Sequence, residues 1–146
     1  HLFHPYKMTI RFPTEHTIES KPYPLEFQIH HKDHQNKLLV VSLLSTLNPP
    51  TAKNHPTWKG VPPNHNMKTK AVTLDLKKLL PQSHGYFHYK GSLTTPPCSE
   101  GVEWLILRNT ISTSSKNISQ LIHNQKLSSR PTQPMKSHRI ALSSHL

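Results

Sequence analysis

Between Tyr86 and Leu107 the chain reads YFHYKGSLTTPPCSEGVEWLIL. Its two ends, Tyr86 to Tyr89 (YFHY) and Glu103 to Leu107 (EWLIL), are aromatic and aliphatic runs of strand length. The stretch between them carries Pro96-Pro97 and Gly101, residues that interrupt helix and strand alike and belong to turns. The segment therefore predicts strand, corner, strand. Working outward, Met8 to Arg11 alternates and stops at Phe12-Pro13, which predicts another strand. Leu25 to His31 (LEFQIHH) predicts a further one, with Glu26, Gln28 and His30 on one face and Leu25, Phe27 and Ile29 on the other. Lys21 and Pro22 mark a turn between these two, so they are expected to pair antiparallel. After the polar turn HKDHQNK, the run LLVVSLL predicts a strand buried on both faces.

The remainder is less regular. Residues 48–66 hold Pro49, Pro50, Pro56, Pro62 and Pro63 among Asn and His, and read as loop. Ala71 to Leu80 predicts a strand leading into one helical turn stopped by Pro81. Ser112 to Gln125 has Ser/Thr capping residues and places Ile118, Leu121 and Ile122 at helical spacing, so it predicts a helix in the C-terminal half. Arg130 to Pro134 reads as extended.

A length of 146 residues suits one domain, taken as 1–146. The longest apolar run, Leu38 to Leu47, is interrupted by Ser42, Ser45 and Thr46 and is too short to cross a bilayer. The chain shows no signal-peptide pattern and starts at His1, so it reads as a processed product or a fragment. Eighteen Lys and Arg against seven Asp and Glu give a net charge of +11, which attracts anions in general. The basic residues are dispersed, Lys77-Lys78 being the one adjacent pair, and this pattern favours solubilising charge over a built polyanion site. Tyr86, Phe87, Tyr89 and Trp104 do not form the spaced stacking platform of a single-strand nucleic-acid binder. The lone Cys98 excludes an internal disulfide.

Two stretches, GSLTTPPCSEGVEWLIL after YFHYK and FPTEHTIESKPYPLEF at 12–27, resemble the α-class carbonic anhydrases, the bacterial ones above all. LLPQ at 79–82 and RPTQP at 130–134 are similar to later landmarks of that family in the same order, and the resemblance runs from about Lys7 to Ile140. It implies a mainly β (α+β) fold around a large antiparallel central sheet, with zinc at the bottom of a cleft. It also implies that the family's N-terminal portion is missing here, leaving the sheet incomplete on that side and Cys98 a free thiol.

The resemblance further assigns the zinc-ligand positions, and none of them carries histidine. KMTIRFPTEHTI stands where the family reads like QFHFHTPSEHTI, so two ligand positions fall on Thr9 and Arg11; EFQIHH puts the third on Gln28. Catalytic zinc takes three imidazole-type ligands and an open position for water, whose pKa it brings down to about 7. A guanidinium has no lone pair to give and stays charged. His30 shares a strand face with Gln28 but supplies one ligand at most, while His16 and His31 are expected on opposite faces. No zinc or other cofactor is therefore expected. By the same resemblance Thr94 and Glu15 match the hydroxyl and carboxylate that orient zinc hydroxide, Thr95 matches a bicarbonate contact, and Leu93, Val40, Val102 and Trp104 match the apolar wall for carbon dioxide. Thr9, Arg11, Pro13 and Glu15 share a face of an extended strand, so Arg11 is expected near Glu15, offsetting its charge or holding a small anion such as bicarbonate.

The resulting expectation is a carbonic anhydrase-like protein that lacks catalysis. The competing readings are an active carbonate dehydratase, interconverting carbon dioxide and bicarbonate, and a non-enzymatic basic module binding a polyanion. The resemblance points to a periplasmic or secreted setting.

Overall fold

The computed structural model describes residues 2–48, 75–81, 85–115, 129–134 and 139–143. Within them lie seven strands and one helical turn: β1 (His4–Arg11), β2 (Leu25–Lys32), β3 (Leu38–Asn48), α1 (Leu76–Leu79), β4 (Tyr86–Ser92), β5 (Glu100–Leu107), β6 (Ile111–Ser114) and β7 (Ala141–Ser143). They form one sheet in the order β1-β2-β3-β5-β4-β7, with β6 beside the end of β3. The β1/β2, β2/β3, β4/β5 and β4/β7 pairings are antiparallel. β3 runs parallel to both β5 and β6, so the sheet is mixed rather than uniformly antiparallel.

Five of the six predicted strands appear, each longer than the sequence pattern marked; the strand predicted from Ala71 lies outside the described residues. β1 starts at His4, and β3 continues to Asn48 because its far end is paired by β6. The helix predicted over Ser112–Gln125 is corrected at its start. Ile111–Ser114 is β6, where Thr113 is fully buried and its Oγ1 lies 2.8 Å from Ser45 Oγ, so Ser112 and Thr113 are strand residues and helical geometry begins no earlier than Ser115. Residues 116–125 of that prediction, and most of the Pro-rich stretch at 48–66, lie outside the described residues. The turn before Pro81 is α1, begun by Asp75, whose Oδ1 accepts from the Lys77 backbone N–H at 3.1 Å.

Alternation along β2 sorts the interior into two layers. Leu25, Phe27 and Ile29 join Leu43, Leu79, Leu107 and Ile111 on one side, with Met8, Ile10 and Phe12 packed against them. Val40, Leu44, Val102, Trp104 and Ile106 form a second cluster. The cross-strand register sets the polar face in rows: Thr9, Gln28, Ser42 and Ile106 in one, Arg11, Glu26 and Leu44 in the next, and Lys7, His30, Val40, Trp104 and Tyr89 in a third.

Candidate functional site: a buried carboxylate pair on the polar sheet face

Burying a carboxylate is costly unless it is paired and hydrogen-bonded. Glu26, in mid-sheet, is fully buried and fully served. Its Oε1 lies 2.7 Å from His16 Nδ1 and accepts from Ser42 Oγ at 2.8 Å and Gln28 Nε2 at 3.0 Å. Its Oε2 accepts the backbone N–H groups of Glu15 at 2.8 Å and His16 at 3.1 Å. Burial pushes the Glu26 carboxyl up, but the His16 charge and the bonds from His16, Gln28 and Ser42 outweigh it and hold the pKa down to about 2. His16 Nε2 in turn lies 2.7 Å from the Tyr89 hydroxyl, and its ring centroid is 4.9 Å from that of Trp104. Burial, with the charges of Glu26 and Glu15, raises the Tyr89 phenol above its ordinary range.

Glu15 is the second buried carboxylate. The chain leaves β1 after Arg11 and returns toward β2, so that Glu15 faces back onto Arg11. The Arg11 Nε to Glu15 Oε1 distance is 3.4 Å, with 11% and 3% of the two side chains exposed. Glu15 Oε2 accepts from Gln28 Nε2 at 2.8 Å, and its Oε1 accepts from the backbone N–H of Arg130 at 2.9 Å. Gln28 thus divides its amide between two carboxylates while its Oε1 accepts from Thr9 Oγ1 at 3.3 Å. Thr9 Oγ1 also lies 3.0 Å from His30 Nε2. Burial, with the positive charges of Lys7 and Arg11, lowers the His30 pKa to about 4 and keeps its ring neutral at neutral pH. Arg11 Nη2 donates to Thr94 Oγ1 at 3.4 Å.

The structure therefore brings together Thr9, Arg11, Gln28, Glu15 and Thr94. The Glu15 carboxylate is engaged by the Arg11 side chain, the Gln28 amide and the Arg130 backbone N–H. Val40, Val102 and Trp104 are buried in one cluster with Leu93 packed against it. Thr95 is half-buried in the corner after β4, where its carbonyl accepts from the Cys98 N–H at 2.9 Å. Cys98 is a free thiol. A cavity of about 530 Å³ opens beside the carboxylates, with Glu15, His16, Tyr89, Thr94 and Phe87 among its lining residues.

Sequence reasoning missed His16. It lies beyond the end of β1, not on a strand, and its ring turns inward to bridge Glu26 and Tyr89. It also missed Glu26 as the anchor and Ser42 as its partner. The signal was present, because Glu26 and Gln28 alternate with core residues on a strand flanked by apolar neighbours, and a buried charge there demands a counter-charge. Among the described residues no group of three or more His, Cys, Asp or Glu side chains stands ready to hold a metal ion.

Comparison with known proteins places this geometry. The family model for eukaryotic-type carbonic anhydrase matches residues 3–143. The carbonic anhydrase of Pectobacterium carotovorum is 35% identical over 130 residues, covering 84% of this chain and 51% of that protein. That of Klebsiella pneumoniae is 33% identical over 125 residues, with the same coverage of 84% and 51%. The α-carbonic anhydrase of Thermovibrio ammonificans, solved with the inhibitor sulfanilamide, superposes with a TM-score of 0.81 at 29% identity, covering 94% of this chain and 62% of that one. The chain spans about half the length of the curated relatives it matches. With the sheet and the matched span in agreement, the chain belongs to the eukaryotic-type (α) carbonic anhydrase family.

Proposed function

We propose that this chain is a carbonic anhydrase-like protein without hydratase activity. The observation that carries the reading is the Arg11 guanidinium, set between Glu15 and Thr94 on the face where the family resemblance puts the metal. Thr9, Arg11 and Gln28 do not fit zinc. A neutral hydroxyl is a poor ligand, a carboxamide oxygen suits harder ions, and a guanidinium brings positive charge and no lone pair. All three are already spent on protein partners: Thr9 on Gln28, Gln28 on two carboxylates, Arg11 on Glu15 and Thr94. Without a bound metal no water is activated to hydroxide at neutral pH, and carbon dioxide has no nucleophile to meet.

The test is metal analysis of the purified protein combined with a carbon dioxide hydration assay and its response to a sulfonamide. The expected result is zinc well below one equivalent and no sulfonamide-sensitive hydration. One tightly held zinc per chain with inhibitable hydration overturns the reading and restores the active carbonate dehydratase.

A further inference from the structure

The three substituted positions are not three independent losses. Two carboxylates, Glu15 and Glu26, lie buried next to each other, joined through the one amide nitrogen of Gln28 at 2.8 and 3.0 Å. Like charges so placed repel in a poorly solvated interior and need cations close by. Among the described residues, the Arg11 guanidinium lies 3.4 Å from Glu15 and the His16 ring lies 2.7 Å from Glu26. An imidazole at position 28 has no NH₂ group to give one proton to each carboxylate. The Gln28 oxygen is aligned by Thr9, and Arg11 carries the unit on to Thr94 in the corner after β4. Glu15 also receives the Arg130 backbone N–H, so the same unit ties down the segment 129–134.

We infer that Arg11 and Gln28, oriented by Thr9, act as a built-in counter-ion and bridge for the Glu15–Glu26 pair, and that this unit holds the site in shape without any ion from solution. The inference rests on the reading that zinc does not occupy this face. Arg11 and Gln28 are positioning residues: they touch the carboxylates and the Thr94 hydroxyl, and of these groups Glu15 and Thr94 line the cavity.

The test is chemical rescue. Arg11→Ala removes the guanidinium and leaves a space of its shape beside Glu15. Its melting temperature is expected to fall by about 10 °C, the order expected when one partner of a buried pair is removed from a domain of this size. Methylguanidinium at millimolar concentration is expected to restore most of that loss, saturably, while leaving the wild type unmoved; zinc chloride is expected to restore nothing. Rescue by zinc, or a melt unchanged by the substitution, overturns the inference. Should Arg11→Ala not fold, the cycle of Arg11→Lys, Glu15→Gln and their double variant decides instead. Coupling of tenfold or more in the unfolding constant supports the unit, and additive losses overturn it. Metal analysis of the wild type is read separately. Stoichiometric zinc there defeats the functional reading, whereas failed rescue in a zinc-free protein defeats this inference alone.

Discussion

The two faces of β2 are built from alternate residues of one eight-residue strand, yet they obey different rules. Phe27 and its neighbours Leu25 and Ile29 pack against other carbon, and any side chain of similar volume satisfies the site to first order. Glu26 and Gln28, buried to the same degree, are held by named partners at 2.7 to 3.0 Å, and two of those partners are held in turn, His16 by Tyr89 and Glu15 by Arg11. The apolar face is tolerant in identity and sensitive to volume. The polar face is the reverse, because a buried donor or acceptor left unmatched costs its full desolvation.

Substitutions can break this contrast. The largest loss is expected from Phe27→Ala on the apolar face, about 3–5 kcal/mol from lost burial plus the cavity left behind, measured by urea unfolding. A loss below 1 kcal/mol would show that the layer collapses around the gap. On the polar face Gln28→Leu keeps the bulk but removes the donor to both carboxylates and the acceptor for Thr9, for an expected cost of about 2–3 kcal/mol in the same assay. If it proves neutral, the two faces follow one rule and the contrast is gone.

Acid sharpens the comparison, since His30 and Glu26 both sit on the polar face. His30 is lowered from 6.5 to about 4 in the folded chain, so the unfolded chain binds more protons between those values and stability rises with pH across that window. Acidifying from pH 6.5 to 4 is expected to cost about 2 kcal/mol, after allowance for solvent near the ring. Glu26, lowered from 4.5 to about 2, adds a further loss as pH falls through 4.5 toward 2. His30→Gln is expected to flatten the upper part of the profile and leave the lower part intact; an unchanged upper slope would assign it to another group. The smallest effect is expected at the surface, where Lys78→Ala breaks a 3.4 Å pair with Asp75 whose side chains are 65% and 50% exposed. Less than about 0.5 kcal/mol should separate it from the wild type by thermal unfolding.

The same contrast explains what could be read from the sequence. The hydrophobic alternation of Leu25, Phe27 and Ile29 marked β2 and its apolar face, and the short turn made its antiparallel pairing with β1 legible. The proximity of Arg11 and Glu15 was also legible from their spacing, although the route is a return of the chain after β1 and not one continued strand. The parallel contact of β3 with β5 was not, because it joins segments some sixty residues apart with no local signature. β6 was hidden for a different reason. Its Ser and Thr residues carry the local marks of a helix start, and only the tertiary partner Ser45 turns Thr113 into a buried strand residue. His16 escaped because nothing near it in sequence announces that its ring will bridge Glu26 and Tyr89.

β1 ends the strand order of the described residues, and its pairing with β2 shifts between Pro5 and Lys7. Proline offers no amide hydrogen, and a lysine two residues on sets a like charge against any copy approaching from outside. Among the described residues this end strand therefore makes a poor template for stacking chain upon chain, and concentrated solutions of the chain should be slow to seed fibrils through it.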